Sequence, residues 1–144
     1  MSNFDELHGY FIEDLEVGMS DLFAKTVTEA DIVMFSGVTG DTNPVHINQE
    51  FAEKTMFKER IAHGMLSAGL ISTVFGTKLP GPGAIYMNQS LNFKAPVCIG
   101  DTVVAKVVLK EINGRRALFE CTCHVGDTLV LDGEATLMVA KKTK

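Results

Sequence analysis

The sequence predicts an α+β fold in which one buried helix packs against one antiparallel sheet. Residues 28–79 carry helix and loop signals, whereas apolar and polar side chains alternate with a period of two over much of residues 84–140. A sixteen-residue helix over residues 64–79 would extend about 24 Å, and a ten-residue strand would extend about 33 Å. A curled sheet of such strands is long enough to wrap the helix.

The composition indicates a single globular domain over residues 1–144. Hydrophobic residues make up 46% of the chain and charged residues 22%, which excludes a disordered or fibrous protein. No repeat, low-complexity tract or linker suggests a domain boundary, and 144 residues are enough for one core.

The charge pattern limits location and partners. Residues 1–21 are acidic and lack both a basic start and an apolar run, so we expect no signal peptide. Residues 64–79 are too short and too rich in Gly and Ser for a membrane span. We therefore expect a cytoplasmic protein without a membrane partner, and the net charge of −5 disfavours nucleic acid as a partner.

The three cysteines are interpreted as reduced thiols. Cys121 and Cys123 lie two residues apart, so in a strand both side chains point to the same face and do not readily form a disulfide. A zinc site that uses His124 is the alternative, but it lacks a convincing second pair of ligands. We expect neither a metal nor a cofactor.

Capping signals define the first helices. Thr28 followed by Asp31 resembles a capping box, and Ala30, Val33, Met34 and Val38 recur at helical spacing. Pro44 keeps Asn43 out of the helical region, so this helix cannot continue through residues 40–44. Asn48 then suits the cap of a second short helix that contains Phe51 and Ala52.

The third helix and the strands follow. Residues 64–79 carry no charge before Lys78, which predicts a helix buried on all sides, and Pro80-Gly81-Pro82-Gly83 ends it. Alternation from Ile85 to Lys94 predicts one long strand. Further strands are predicted at residues 103–109, 118–125 and 128–140, with Asn113-Gly114 as a hairpin turn.

Several motifs carry the functional signal. Asp41-Thr42-Asn43-Pro44-Val45-His46 precedes Ala62-His63-Gly64-Met65 at the head of the apolar helix, and Ile85-Tyr86 and Phe93-Lys94-Ala95-Pro96-Val97 come later. Together, over about residues 15–140, these motifs resemble the MaoC-like (R)-specific enoyl-CoA hydratases. The resemblance implies a hot-dog fold, in which a long central helix is wrapped by a curved antiparallel sheet, and homodimers or larger homo-oligomers.

The same resemblance implies an activity. These hydro-lyases add water to a trans-2-enoyl-CoA to give a (3R)-hydroxyacyl-CoA, in fatty-acid metabolism or in the supply of polyhydroxyalkanoate. The acyl carrier is coenzyme A or acyl carrier protein, with coenzyme A favoured. Candidate cations for its phosphates are Lys54, Lys58, Arg60, Lys94, Arg115 and Arg116.

The resemblance also assigns roles to residues. Asp41 and His46 match the catalytic pair, and a carboxylate beside an imidazole can both activate water and protonate carbon. Gly64 matches the glycine whose N–H binds the thioester oxyanion at the start of the helix. Ser72 matches a serine that supports the pair through a hydrogen bond. His63 is interpreted as a structural residue of the loop, and His8 and His124 are assigned no role.

Without the resemblance, each residue has a plainer interpretation. Asp41 suits a tight turn, and His46 is a satisfied or exposed histidine. Gly64 is a packing or cap glycine, and Ser72 is a buried hydroxyl bonded to the carbonyl four residues earlier.

Three alternative functions remain open. An acid-base pair beside a thioester could instead direct water at the carbonyl, as a thioesterase does. Asp41 and His46 could only shape the pocket of a non-catalytic acyl-CoA binding module. Asp41, His46 and His63 could also form a metal site, which is the least favoured of the three.

Overall fold

The computed structural model describes residues 3–143, so the ends of the predicted domain, residues 1, 2 and 144, lie outside the described residues. The helices are α1 (Phe4–Leu7), α2 (Glu29–Thr39), α3 (Pro44–Ile47), α4 (Gln49–Glu53) and α5 (Gly64–Thr77), with a 3-10 turn at Ile12–Asp14. The strands are β1 (Ser20–Thr26), β2 (Ile85–Gln89), β3 (Asn92–Phe93), β4 (Thr102–Asn113), β5 (Arg116–Val125) and β6 (Thr128–Met138).

The strands form one antiparallel sheet in the order β1-β4-β5-β6-β2, and β3 pairs with β6. The predicted hairpin is confirmed, because Asn113 pairs with Arg116 and Gly114 adopts a φ of 62°. A positive φ at the turn suits glycine, which has no Cβ to clash. The α+β prediction is therefore confirmed.

The core lies between α5 and the concave face of the sheet. Alternate side chains of β4 are completely buried, namely Val103, Ala105, Val107 and Leu109. They belong to the same cluster as Leu70, Ile71, Val74 and Phe75 of α5. The Phe75 ring meets the Phe119 ring edge to face, with centroids 5.0 Å apart, a geometry that aromatic pairs prefer.

Helix α5 was predicted to be buried on all sides, and for one face this is wrong. Met65, Gly69, Ser72 and Gly76 are exposed, at spacings that place them on one side of the helix. The sheet of a single chain covers only the opposite side, which carries the core residues. The protein thus presents a face of α5 that combines small and apolar residues.

The single long strand predicted over residues 85–94 is also wrong. It divides into β2 and β3, because Ser90 turns toward Glu134: its N–H donates to the Glu134 carbonyl at 2.8 Å, and its hydroxyl accepts from the Glu134 N–H at 2.9 Å. Gly133, which has no side chain, allows the Ser90 carbonyl to pass close by. Strand β1, which pairs with β4, was not predicted.

The predicted caps are confirmed. The Thr28 hydroxyl accepts from the Asp31 N–H at 3.1 Å, and the Asp31 carboxylate accepts from the Thr28 N–H at 2.9 Å. Asn48 caps α4 by accepting from the Phe51 N–H at 3.0 Å. Both devices satisfy amides that have no partner within the helix.

Cys121 and Cys123 are free and completely buried, as predicted for core thiols. Burial raises the pKa of Cys121 to about 11 and that of Cys123 to about 12, so both stay protonated. Among residues 3–143, no helix has the length and apolar character needed to cross a membrane.

Candidate active site

The turn between α2 and α3 fixes the backbone around Asp41. Its N–H donates to the Thr39 hydroxyl at 3.1 Å, and its carboxylate Oδ1 accepts from the Asn43 N–H at 3.3 Å. The Asn43 side chain caps α3 by accepting from the Val45 N–H at 3.1 Å. These bonds leave Asp41 Oδ2 without a hydrogen-bond partner among the residues that the structure describes.

His46 lies on α3 and is held as one tautomer. Its Nδ1 is 2.7 Å from the Ile61 carbonyl, which can only accept, so Nδ1 carries the proton and Nε2 keeps its lone pair. Burial lowers the pKa of His46, and the neighbouring His63 lowers it further, against the opposing effects of the Ile61 carbonyl and Asp41. The neutral, proton-accepting form is thereby favoured.

Arg60 fixes the backbone of His46. Its Nε donates to the His46 carbonyl at 2.7 Å, while one terminal nitrogen contacts both carboxylate oxygens of Glu29 at 2.8 and 3.0 Å. Because Glu29 begins α2, the guanidinium joins the end of α3 to the start of α2. This candidate cation for coenzyme A is thus engaged within the chain.

Asp41 and His46 are brought together as the sequence predicted, and His63 joins them. One potential ligand atom from each of the three side chains lies within 4.8 Å of the others. His46 and His63 are buried at 8% and 2% exposure, whereas Asp41 is exposed. Two imidazoles and a carboxylate are groups that can hold a metal ion, and the bond of His46 Nδ1 to a carbonyl leaves Nε2 as its possible ligand atom.

His63 has closer contacts with the pair than the sequence indicated. Its Nε2 lies 3.0 Å from the Asp41 carbonyl and 3.1 Å from the Ser36 hydroxyl. Its ring stacks on the His46 ring with centroids 3.8 Å apart. The one available signal was its place directly before Gly64, since the contacts themselves link residues distant in sequence.

Gly64 opens α5, and its N–H forms no hydrogen bond within residues 3–143. An unpaired amide at the start of a fourteen-residue helix favours a negatively charged oxygen. A Cβ on Gly64 would lie 2.6 Å from Phe93 Cε1. A side chain at residue 64 would therefore displace the Phe93 ring.

A cavity of about 530 Å³ adjoins this amide. Its walls include His63 and Gly64 and are otherwise mainly apolar, from Met56, Phe57, Met65, Phe93, Val130 and Leu131 among others. Lys94 is the only formally cationic side chain among the described residues that line it. Asp41 and His46 adjoin the cavity through His63 rather than forming its wall.

Ser72 does not meet the catalytic pair within one chain. It lies on the exposed face of α5, and within the described part of the chain no hydrogen bond joins it to Asp41 or His46. The interpretation of Ser72 as a buried hydroxyl is wrong for a single chain.

The chain resembles proteins of known activity. Residues 16–130 match the model of the MaoC-like domain. An (R)-specific enoyl-CoA hydratase of Rhodospirillum rubrum is 54% identical over 137 residues, which cover 94% of this chain and 95% of that protein. A 3-hydroxybutyryl-CoA dehydratase of Methylorubrum extorquens is 53% identical over 139 residues, which cover 95% of this chain and 88% of that protein.

A solved structure agrees with these matches. An unliganded R-hydratase from Pseudomonas aeruginosa superimposes with a TM-score of 0.87 at 40% identity, covering 92% of this chain and 86% of that one. The predicted hot-dog fold is therefore confirmed.

Proposed function

The chain belongs to the MaoC-like domain family, and on that premise we propose that it is an (R)-specific enoyl-CoA hydratase. This hydro-lyase adds water to a trans-2-enoyl-CoA and yields a (3R)-hydroxyacyl-CoA. The observation that carries the proposal is that the Asp41 carboxylate and the His46 imidazole lie together, beside a helix that opens with an unpaired amide.

The pair activates the attacking water. His46 Nε2 has a free lone pair because Nδ1 is bonded to Ile61, and Asp41 Oδ2 is likewise free to accept. A water held between them gives up a proton as its oxygen bonds to C3 of the enoyl thioester. The fixed turn at residues 41–46 keeps the two acceptors in one geometry.

Attack at C3 moves an electron pair onto the thioester oxygen. The Gly64 N–H, at the positive end of α5, donates to that oxygen and stabilises the enolate. The enolate then collapses and takes a proton at C2 from the acid-base pair. One proton is taken from water and one is given to carbon, so the pair returns to its starting state.

The apolar cavity supplies the binding site for the substrate chain. Its volume of about 530 Å³ lies within the usual range for small-molecule sites. Lys94 on its wall offers a positive charge for the anionic carrier, in a chain whose formal net charge is −5.

Two conservative variants test the activity. Asp41→Asn and His46→Gln should each slow the hydration of crotonyl-CoA, followed as loss of enone absorbance, by roughly 10²–10⁴-fold. Asp127→Asn and His124→Gln, which lie outside the site, serve as controls and should keep the wild-type rate. Wild-type rates in both site variants would refute the assignment.

Two further measurements separate the alternative functions. Release of free coenzyme A thiol would identify a thioesterase, and tight binding of acyl-CoA without turnover would identify a binding module. The proposal requires a 3-hydroxyacyl-CoA of R configuration as the product, without thiol release.

We also propose that the protein forms a homodimer or a larger homo-oligomer through the open face of α5 and the adjoining β2. Strand β2 lies at one edge of the sheet, and its Ile85, Tyr86 and Met87 are 58%, 40% and 43% exposed. Neighbouring exposed apolar residues of this kind are typical of a protein–protein contact surface. A second copy would also cover Ser72, where its hydroxyl could support the partner's catalytic pair.

Light scattering after size exclusion tests the assembly. Met87→Glu should give a lower mass, while Leu22→Glu at the opposite edge, 45% exposed, should not. A wild-type monomer would contradict the proposal.

We further propose a cytoplasmic location, because three free thiols, two of them buried, fit a reducing compartment.

A further inference from the structure

We propose that His63 is a positioning residue that holds Asp41 and His46 in a fixed arrangement relative to each other, an inference that rests on the proposed hydratase function. The residue lies at the N-cap of α5, one position before the proposed oxyanion donor. Its side chain contacts the Asp41 carbonyl and the ring of His46, so one residue connects both members of the pair to the start of α5.

The hydrogen bond to Asp41 fixes the tautomer of His63. A backbone carbonyl can only accept, so the Nε2 that lies 3.0 Å from the Asp41 carbonyl must carry a proton. The buried Ser36 hydroxyl, 3.1 Å from the same nitrogen, joins α2 to this contact. His63 thus ties the Asp41 backbone both to α2 and to the start of α5.

The other nitrogen of His63 is left without a hydrogen bond within the described part of the chain, which is an energetic cost of the contact with Asp41. Nδ1 is buried and has no hydrogen-bond partner among residues 3–143. Buried polar atoms are nearly always paired, so an unpaired one requires an explanation. A phenylalanine would fill the same space without an orphaned nitrogen, but it could not donate to Asp41.

The ring face performs the second task. The His63 ring stacks on the His46 ring with centroids 3.8 Å apart and 30° between the planes. The centroid of the Phe35 ring lies 4.6 Å from that of His63. His46 is therefore fixed by its bond to Ile61 and by a ring wall. His63 also lowers the pKa of His46 electrostatically, so this neighbour disfavours protonation of the base.

Two substitutions separate the two contacts. His63→Phe keeps the ring and removes the donor, whereas His63→Gln provides an amide N–H near the position of Nε2 and removes the ring. We expect His63→Phe to lower kcat roughly 10–100-fold, with KM changed by less than about threefold, because a displaced Asp41 costs rate rather than binding. We expect His63→Gln to keep kcat within about fivefold of the wild type, because the donor to Asp41 is retained and His46 is still held by its bond to Ile61.

The pH dependence gives a readout that a merely structural role would not move. Removing His63 takes away an electrostatic effect that lowers the pKa of His46, so the acid limb of the kcat/KM profile should shift to higher pH in both variants. The unfolding transition of each variant, measured with urea, establishes the folded fraction in the assay.

The outcomes are distinct from those of the proposed function. If the wild type hydrates crotonyl-CoA and Asp41→Asn does not, the hydratase assignment stands whatever the His63 variants do. With that established, wild-type kcat in folded His63→Phe, or equal losses in both variants with an unmoved acid limb, would overturn the positioning role. If the wild type shows no hydration, the proposed function fails first.

Discussion

Gly64→Ala is expected to impair catalysis without destabilising the fold. The added Cβ would lie 2.6 Å from Phe93 Cε1 and 2.8 Å from Phe93 Cδ1, about 1 Å closer than carbon atoms pack at their optimum. Helix α5 is anchored in the core, whereas Phe93 is 55% exposed, so the ring must move. Phe93 and Gly64 both line the cavity, so the ring would move where the thioester has to reach the Gly64 N–H.

The loss can be estimated from the role of that amide. Removing one oxyanion donor costs about 10²–10³ in kcat, or roughly 3–4 kcal/mol of transition-state stabilisation. Gly64 does not have a positive φ, and alanine is the better helix former by up to about 1 kcal/mol. We therefore expect kcat/KM for crotonyl-CoA to fall roughly 10²-fold while the melting temperature stays the same or rises.

Two matched variants test the reasoning. Gly37→Ala on α2 places a methyl group in open space and should leave the rate unchanged. Phe93→Ala combined with Gly64→Ala removes the crowding, so the double variant should approach the rate of Phe93→Ala alone if the displaced ring causes the loss. Wild-type kcat/KM in Gly64→Ala would refute the reasoning that the displaced Phe93 ring keeps the thioester away from this amide.

Two further predictions concern His46 and its support. Burial lowers the pKa of His46 below its unfolded value of about 6.5, so the unfolded chain binds the proton more readily than the folded one. The wild-type free energy of unfolding should therefore fall as the pH drops below that value. Urea titrations from pH 5 to 8 should show a weaker fall in His46→Gln; equal slopes would contradict the prediction. Arg60→Ala removes the donor to the His46 carbonyl and should lower kcat roughly tenfold, with Arg60→Lys recovering only part because one ammonium cannot copy both guanidinium contacts. An unaltered rate in Arg60→Ala would show that the backbone of His46 needs no such support.

Features set by neighbouring residues were predictable from the sequence. The capping box of Thr28 and Asp31 and the Asn48 cap each need only three or four residues to form, so local spacing determines them. The start of α5 at Gly64 and its end before Pro80 follow from an uncharged run and a proline. The same holds for the hairpin at Gly114.

Features set by contacts between residues distant in sequence were not predictable. Strand alternation does not reveal that Ser90 bonds to Glu134, 44 residues away in sequence, so the break between β2 and β3 was missed. Likewise, the absence of charge in α5 indicates an apolar helix but not which face the sheet covers. The resemblance assigned Ser72 to the support of the catalytic pair, although a single chain leaves it exposed.

In the active site, too, some of the geometry is set by local contacts and some by contacts between residues distant in sequence. The short motif Asp41-x-Asn43-Pro44-x-His46 builds its own turn and supplies both acceptors, because its bonds span two or three residues. Such a turn cannot set the distance from the pair to the oxyanion donor, which belongs to another helix. His63, through contacts 22 residues back to Asp41 and 27 back to Ser36, makes that connection. Substitutions at residue 63 should therefore disturb the geometry between base and amide, whereas substitutions within the turn should remove the acid-base chemistry itself.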